Sequence, residues 1–130
     1  MRLLIWNGDQ VMVNPVLRPR IGDVVLAVNP AAGPLLFFIL HRVISITQDR
    51  SGAIVFVTKG DAVYRSDRLK PTGGDIWGVV TAVNRGDRVI NLLKLFYRLL
   101  GLLLARSWRL VLLYLRVLVL FARVRKVIVL

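Results

Sequence analysis

The sequence predicts a mainly β domain over residues 1–88, followed by a long basic amphipathic helix over residues 89–130. Three observations carry this reading. Short β-branched or aromatic runs recur between turn residues in the first part. All five Pro and nine of the ten Gly lie there as well. The acids also stop at that boundary: residues 1–88 carry eleven cations against all seven Asp, a balance of +4, while residues 89–130 carry eight cations and no acid.

The runs are VMV (11–13), DVVLAV (23–28), FFILHRVISI (37–46), AIVFVTK (53–59) and IWGVVTAV (76–83). Each is bounded by turn residues, among them Asn14-Pro15, Asn29-Pro30, Gly33-Pro34, Gly60-Asp61, Gly73-Gly74 and Arg85-Gly86-Asp87. Gln48-Asp49-Arg50-Ser51-Gly52 reads as the connection of a hairpin. No helical pattern of 10–15 residues alternates with these runs, so the strands are expected to pair antiparallel.

From Val89 onward the sequence is almost entirely Leu, Val and Arg. At about 100° per residue, Lys94, Arg98, Arg106, Arg109, Arg116, Arg123 and Lys126 share one side. Arg125 falls on the far side, and Gly101 marks a possible break. A single transmembrane span is disfavoured, because no stretch of about 18 residues lacks charge. A helix lying in a membrane interface fits, with aliphatic residues in the acyl region and Arg98, Arg106, Arg109, Arg116 and Arg123 among anionic headgroups. A tilted, partly inserted helix with snorkelling arginines and a helix packed on a partner are the alternatives. Nucleic acid is not the expected partner, since the apolar side would be left uncovered. Met1-Arg2 precedes an apolar run of only four residues, so no signal peptide is read.

Composition removes much of the catalytic menu. A hydrophobic fraction of 56% at a formal charge of +12 argues against disorder. Without Cys there is no disulfide framework, zinc-thiolate site or cysteine nucleophile, and a single His excludes a multi-histidine metal site. No cofactor or metal is expected. His41 follows an apolar run, where a lone His is usually structural. Two acids, Asp61 and Asp67, flank a turn just after the run 53–59. They read either as turn residues bonded to their own backbone or as partners for His41. A carboxylate on the distal ring nitrogen would fix the tautomer of His41 and make it a general base. Spacing alone does not decide.

Taken together, Ile21-Gly22-Asp23-Val24-Val25, Leu40-His41-Arg42-Val43-Ile44, Phe56-Val57-Thr58-Lys59-Gly60-Asp61-Ala62 and Ile76-Trp77-Gly78-Val79-Val80 resemble signal peptidase I and its relatives. The order and spacing are similar to the branch found in archaea, the endoplasmic reticulum and some bacteria, where His stands in place of a general-base Lys. More distantly, the segments resemble the peptidase domain of LexA-type repressors. The resemblance covers about residues 1–85. It implies coiled antiparallel sheets and a serine endopeptidase acting on a peptide or preprotein at a membrane face. His41 would be the general base, Asp67 the orienting acid, and Asp61 a support for the loop. The family nucleophile is a Ser followed directly by Met. Met1 through Val11 align if Met1 is that Met, which puts the Ser one position before Met1. Leu3 stands where the family has Pro, and the family's N-terminal anchor is not seen. None of Ser45, Ser51, Ser66 and Ser107 occupies the motif position. The expectation therefore divides between a peptidase completed upstream and a non-catalytic module that binds membrane or a partner. The oligomeric state is not legible.

Overall fold

β-Branched residues crowd the backbone and pack well on a pleated surface, and the runs that contain them form the strands. The computed structural model describes residues 5–28, 38–61, 65, 67, 70–107 and 109. Its strands are β1 (Gln10–Asn14), β2 (Val24–Val28), β3 (Phe38–Gln48), β4 (Ile54–Lys59), β5 (Ile76–Arg85) and β6 (Arg88–Asn91). One helix, α1, spans Leu95–Arg106. The strands make one six-stranded antiparallel sheet in the order β1-β5-β2-β3-β4, with β6 also on β5. Val83 pairs with both Val11 and Ile90. β1 therefore takes one edge of β5, while β2 and then β6 share the other.

Two apolar clusters form around the sheet. One gathers Ile5, Val24, Val80 and Val83; the other gathers Val25, Val43, Phe56 and Val79. Neighbouring strand residues point to opposite faces, so Val24 and Val25 serve different clusters. The ladder shifts at Met12/Val13, Leu26/Ala27 and Val43/Ser45, and such bulges bend and twist the strands that carry them.

The turn at 49–52 closes as its sequence suggests. The Asp49 carboxylate accepts hydrogen bonds from the Ser51 and Ala53 backbone N–H groups and from the Ser51 hydroxyl. Gly52 supplies φ +84°. These bonds hold the Asp49 carboxyl below the usual carboxylate range.

The sequence boundary at residue 88 needs correction. Residues 88–91 do not begin the helix; they form β6 and complete a hairpin with β5. Gly86, at φ +56°, takes the first central position of the two-residue turn, where type II′ hairpins place glycine. The helix starts at Leu95, after an Asx turn in which Asn91 Oδ1 accepts the Leu93 N–H. It continues through Gly101 without a break. Arg98, Arg106 and Arg109 are exposed. Arg116 and Arg123, and the remainder of the expected helix, lie outside the described residues.

At the same end of β5, next to the Gly86 turn, Arg85 clamps the segment that leads into β1. Its Nε and one Nη donate to the two carboxylate oxygens of Asp9 at 2.9 and 2.7 Å. Its guanidinium sits 4.4 Å from the centre of the Trp6 ring. Asp9 also accepts the Trp6 N–H. The Arg85 bond, then the Trp6 bond, lower the Asp9 carboxyl from 3.8 to about 2. A carboxyl lowered by folding stabilises the native state above its unfolded pKa, and that contribution disappears as pH falls through the folded value. Asp9→Asn is therefore expected to lower Tm at neutral pH, with the gap to the wild type closing between about pH 4 and 2. Melting curves over that range check it, and a gap that stays constant down to pH 2 contradicts it.

Candidate active site

The dipeptide His41-Arg42 lies in the middle of β3, and the two side chains leave the strand on opposite faces. His41 pairs across the ladder with Val25, and Arg42 with Val24 and Lys59. Each face builds a different polar group.

On the first face, His41 Nδ1 lies 2.5 Å from Asp67 Oδ2, across 26 residues of sequence. The same carboxylate oxygen accepts a bond from the Thr58 hydroxyl at 2.5 Å. The Asp67 backbone N–H donates to the Thr58 carbonyl at 2.8 Å. Asp67 is thus held twice by one residue of β4, through its main chain and through its carboxylate. Further on, Pro71 and Thr72 lie at the free edge of β4, where the Phe56 N–H donates to the Pro71 carbonyl and Thr72 bridges to Val55. Strand edges need such cover because their backbone groups otherwise stay unpaired.

Thr58 is fully buried, while the side chains of His41 and Asp67 are 25% and 22% exposed. With Nδ1 donating to Asp67, Nε2 carries the ring lone pair. Among the described residues, no hydrogen bond reaches Nε2. This is the arrangement that a general base needs: one nitrogen oriented by a carboxylate, the other left to take a proton.

On the opposite face, Arg42 and Asp61 are each 2% exposed. Arg42 Nε and Nη2 donate to Asp61 Oδ1 and Oδ2, both at 2.7 Å, a bidentate pair. Arg42 Nη1 donates to the Gly22 carbonyl at 2.6 Å. Gly22 adopts φ +94°. Gly101 of α1 lies directly over this group: a Cβ there would come within 2.5 Å of the Gly22 oxygen and 3.0 Å of Arg42 Nη1. Of the two acids, Asp67 reaches His41. Asp61 has both oxygens on Arg42, so its part is to fix the turn from which the chain runs on to Asp67.

The site includes two residues beyond those singled out from the sequence. Thr58 orients Asp67, and Arg42 occupies Asp61; both stand inside the quoted segments. Of the serines, Ser45 lies on β3, Ser51 bonds Asp49, and Ser107 ends α1. None of these three hydrogen-bonds His41. Ser66 lies outside the described residues.

The packed side of α1 is narrow, with Gly101 and Leu104 buried. Leu95, Phe96, Leu99, Leu102 and Leu103 are exposed, beside Arg98 and Arg106. Among the described residues, no helix is long and apolar enough to cross a membrane. No family model, curated protein or solved structure matches the chain.

Proposed function

We propose that the chain is the β domain of a serine endopeptidase of the signal peptidase type, working at a membrane face. The observation that carries this reading is the His41–Asp67 pair, braced by Thr58, with Nε2 left to meet a hydroxyl. The nucleophile in this reading is the Ser that the resemblance places one position before Met1. As its Oγ attacks the scissile carbonyl, its proton passes to His41 Nε2. Asp67 holds the resulting imidazolium, which then protonates the departing amine. Water repeats the cycle on the acyl-enzyme, returning Ser and neutral His41. The coiled arrangement of antiparallel sheets belongs to the same proposal, and the bulges at Met12/Val13, Leu26/Ala27 and Val43/Ser45 favour it.

Membrane association is supported by α1, whose exposed leucines stand beside Arg98 and Arg106. A solvent-facing surface of that kind is suited to an acyl–headgroup boundary rich in anionic lipid.

A non-catalytic membrane module is the second reading. It is favoured by the lack of a hydrogen bond to His41 from Ser45, Ser51 or Ser107. The intact mass of the natively expressed protein, with sequencing of its first peptide, separates the two. A Ser directly before the present Met1, together with cleavage of a signal-peptide substrate, is the expected result. A product that begins at Met1 and cuts nothing rejects the peptidase.

A further inference from the structure

The connection between β1 and β2 meets the start of α1 around a cleft of about 430 Å³. Three arginines line it: Arg18 and Arg20 from the connection, and Arg98 from the helix. All three are exposed, and no side-chain ion pair holds any of them among the described residues. The one carboxylate that lines it among the described residues, Asp23, already accepts the Arg20 backbone N–H at 2.8 Å. The rest of the wall is apolar. Val16 is 86% exposed, held out by an Asx turn in which Asn14 accepts its N–H, and Leu17 and Leu93 are exposed beside it. A smaller adjoining cavity of about 210 Å³ shares Arg20, Asp23 and Arg98 and adds Ile21 and Leu102.

We propose that this cleft binds the phosphate of an anionic phospholipid, with Arg18, Arg20 and Arg98 on the phosphate and Val16, Leu17 and Leu93 against the first acyl carbons. The proposal deepens the membrane part of the function given above by assigning it a discrete lipid site. Guanidinium groups bind phosphate oxygens in pairs and give up hydration readily. Exposed aliphatics next to them favour a lipid over a free anion. Among the described residues, no aromatic side chain lines the cleft to stack a base, which disfavours a nucleic-acid strand.

The test is calorimetric titration of the full chain with dihexanoyl phosphatidylglycerol below its aggregation threshold. Saturation at one lipid per chain is expected. Replacing Arg18, Arg20 and Arg98 together by Gln should weaken binding about fivefold per arginine, about 100-fold in all. The equal-charge control R50Q/R65Q/R88Q, which avoids the cleft, should bind within about threefold of the wild type. Circular dichroism verifies that both variants are folded. An equal loss in the control overturns the site in favour of general charge attraction. Binding of inorganic phosphate or of dihexanoyl phosphatidylcholine as tightly as of the anionic lipid overturns the lipid assignment. Vesicles of phosphatidylglycerol are the second arm. Vesicle binding without one-to-one uptake of the soluble lipid overturns the cleft alone. One-to-one uptake without vesicle binding supports the cleft and overturns the membrane reading.

Discussion

In the proposed peptidase, replacing His41 by Ala is expected to lower cleavage of a signal-peptide substrate by about 10²–10⁴-fold, the usual contribution of a positioned general base. Asp67→Asn should fall in the same range, because Asn can present its amide N–H to Nδ1 and stabilise the wrong tautomer. The double variant should lose little more than either single one, since groups that pass one proton act as a unit. Thr58→Val leaves the carboxylate in place but removes the hydroxyl that holds it, so a smaller loss of about tenfold is expected. The fold should persist through the His41 and Asp67 changes, as both side chains are partly exposed and belong to no apolar cluster. Matched far-ultraviolet spectra and single-turnover rates check the series. Wild-type rates in both His41→Ala and Asp67→Asn would remove this pair from the mechanism.

The sheet was largely legible because its information is local. Val24-Val25, Val79-Val80 and their neighbours are strong strand formers between strong turn formers, and the strands lie within about two residues of the runs in the sequence. β6 escaped because only one polar residue, Asn91, parts Val89-Ile90 from the Leu-rich run, and a single polar residue also fits the polar side of an amphipathic helix. The turn that joins β6 to β5, Gly86-Asp87, was visible, but its consequence is a pairing with β5 and not a property of residues 89–91. The site divides in the same way. His41 stood out as the only histidine. The choice of Asp67 over Asp61 came from the family resemblance, because the geometry depends on which acid returns to the edge of β4. That is decided by a bond between the Asp67 N–H and the Thr58 carbonyl, which no spacing encodes. Arg42 was unreadable as a core residue because an arginine is ordinarily placed on the surface. Gly101, expected as a helix break, instead lets α1 approach the Gly22 backbone so closely that a Cβ there would come within 2.5 Å of the Gly22 oxygen.

The second large effect concerns stability and follows from that close approach. Arg42→Met leaves the Asp61 carboxylate buried with no counterion, and removing one partner of a buried pair costs about 3–5 kcal/mol. In a chain of this size that corresponds to a fall in Tm of about 10–20 °C. Asp61→Leu should cost a similar amount from the other side, leaving the guanidinium with only the Gly22 carbonyl. The double variant Arg42→Met/Asp61→Leu should recover part of the loss, because the largest penalty is an unpaired buried charge and the double variant has none. Gly101→Ala tests how α1 is seated on this pair. Alanine raises helix propensity by about 1 kcal/mol over glycine, yet its Cβ would press on the Gly22 oxygen and on Arg42 Nη1. A net loss of stability is therefore expected in the wild-type background. With Met at position 42, which is flexible and carries no charge, the same change should cost less. Thermal melts of the four combinations at neutral pH measure the coupling. Independent, additive losses would mean that α1 does not rest on the Arg42–Asp61 pair, and a stabilising Gly101→Ala would mean that the helix is not seated there at all.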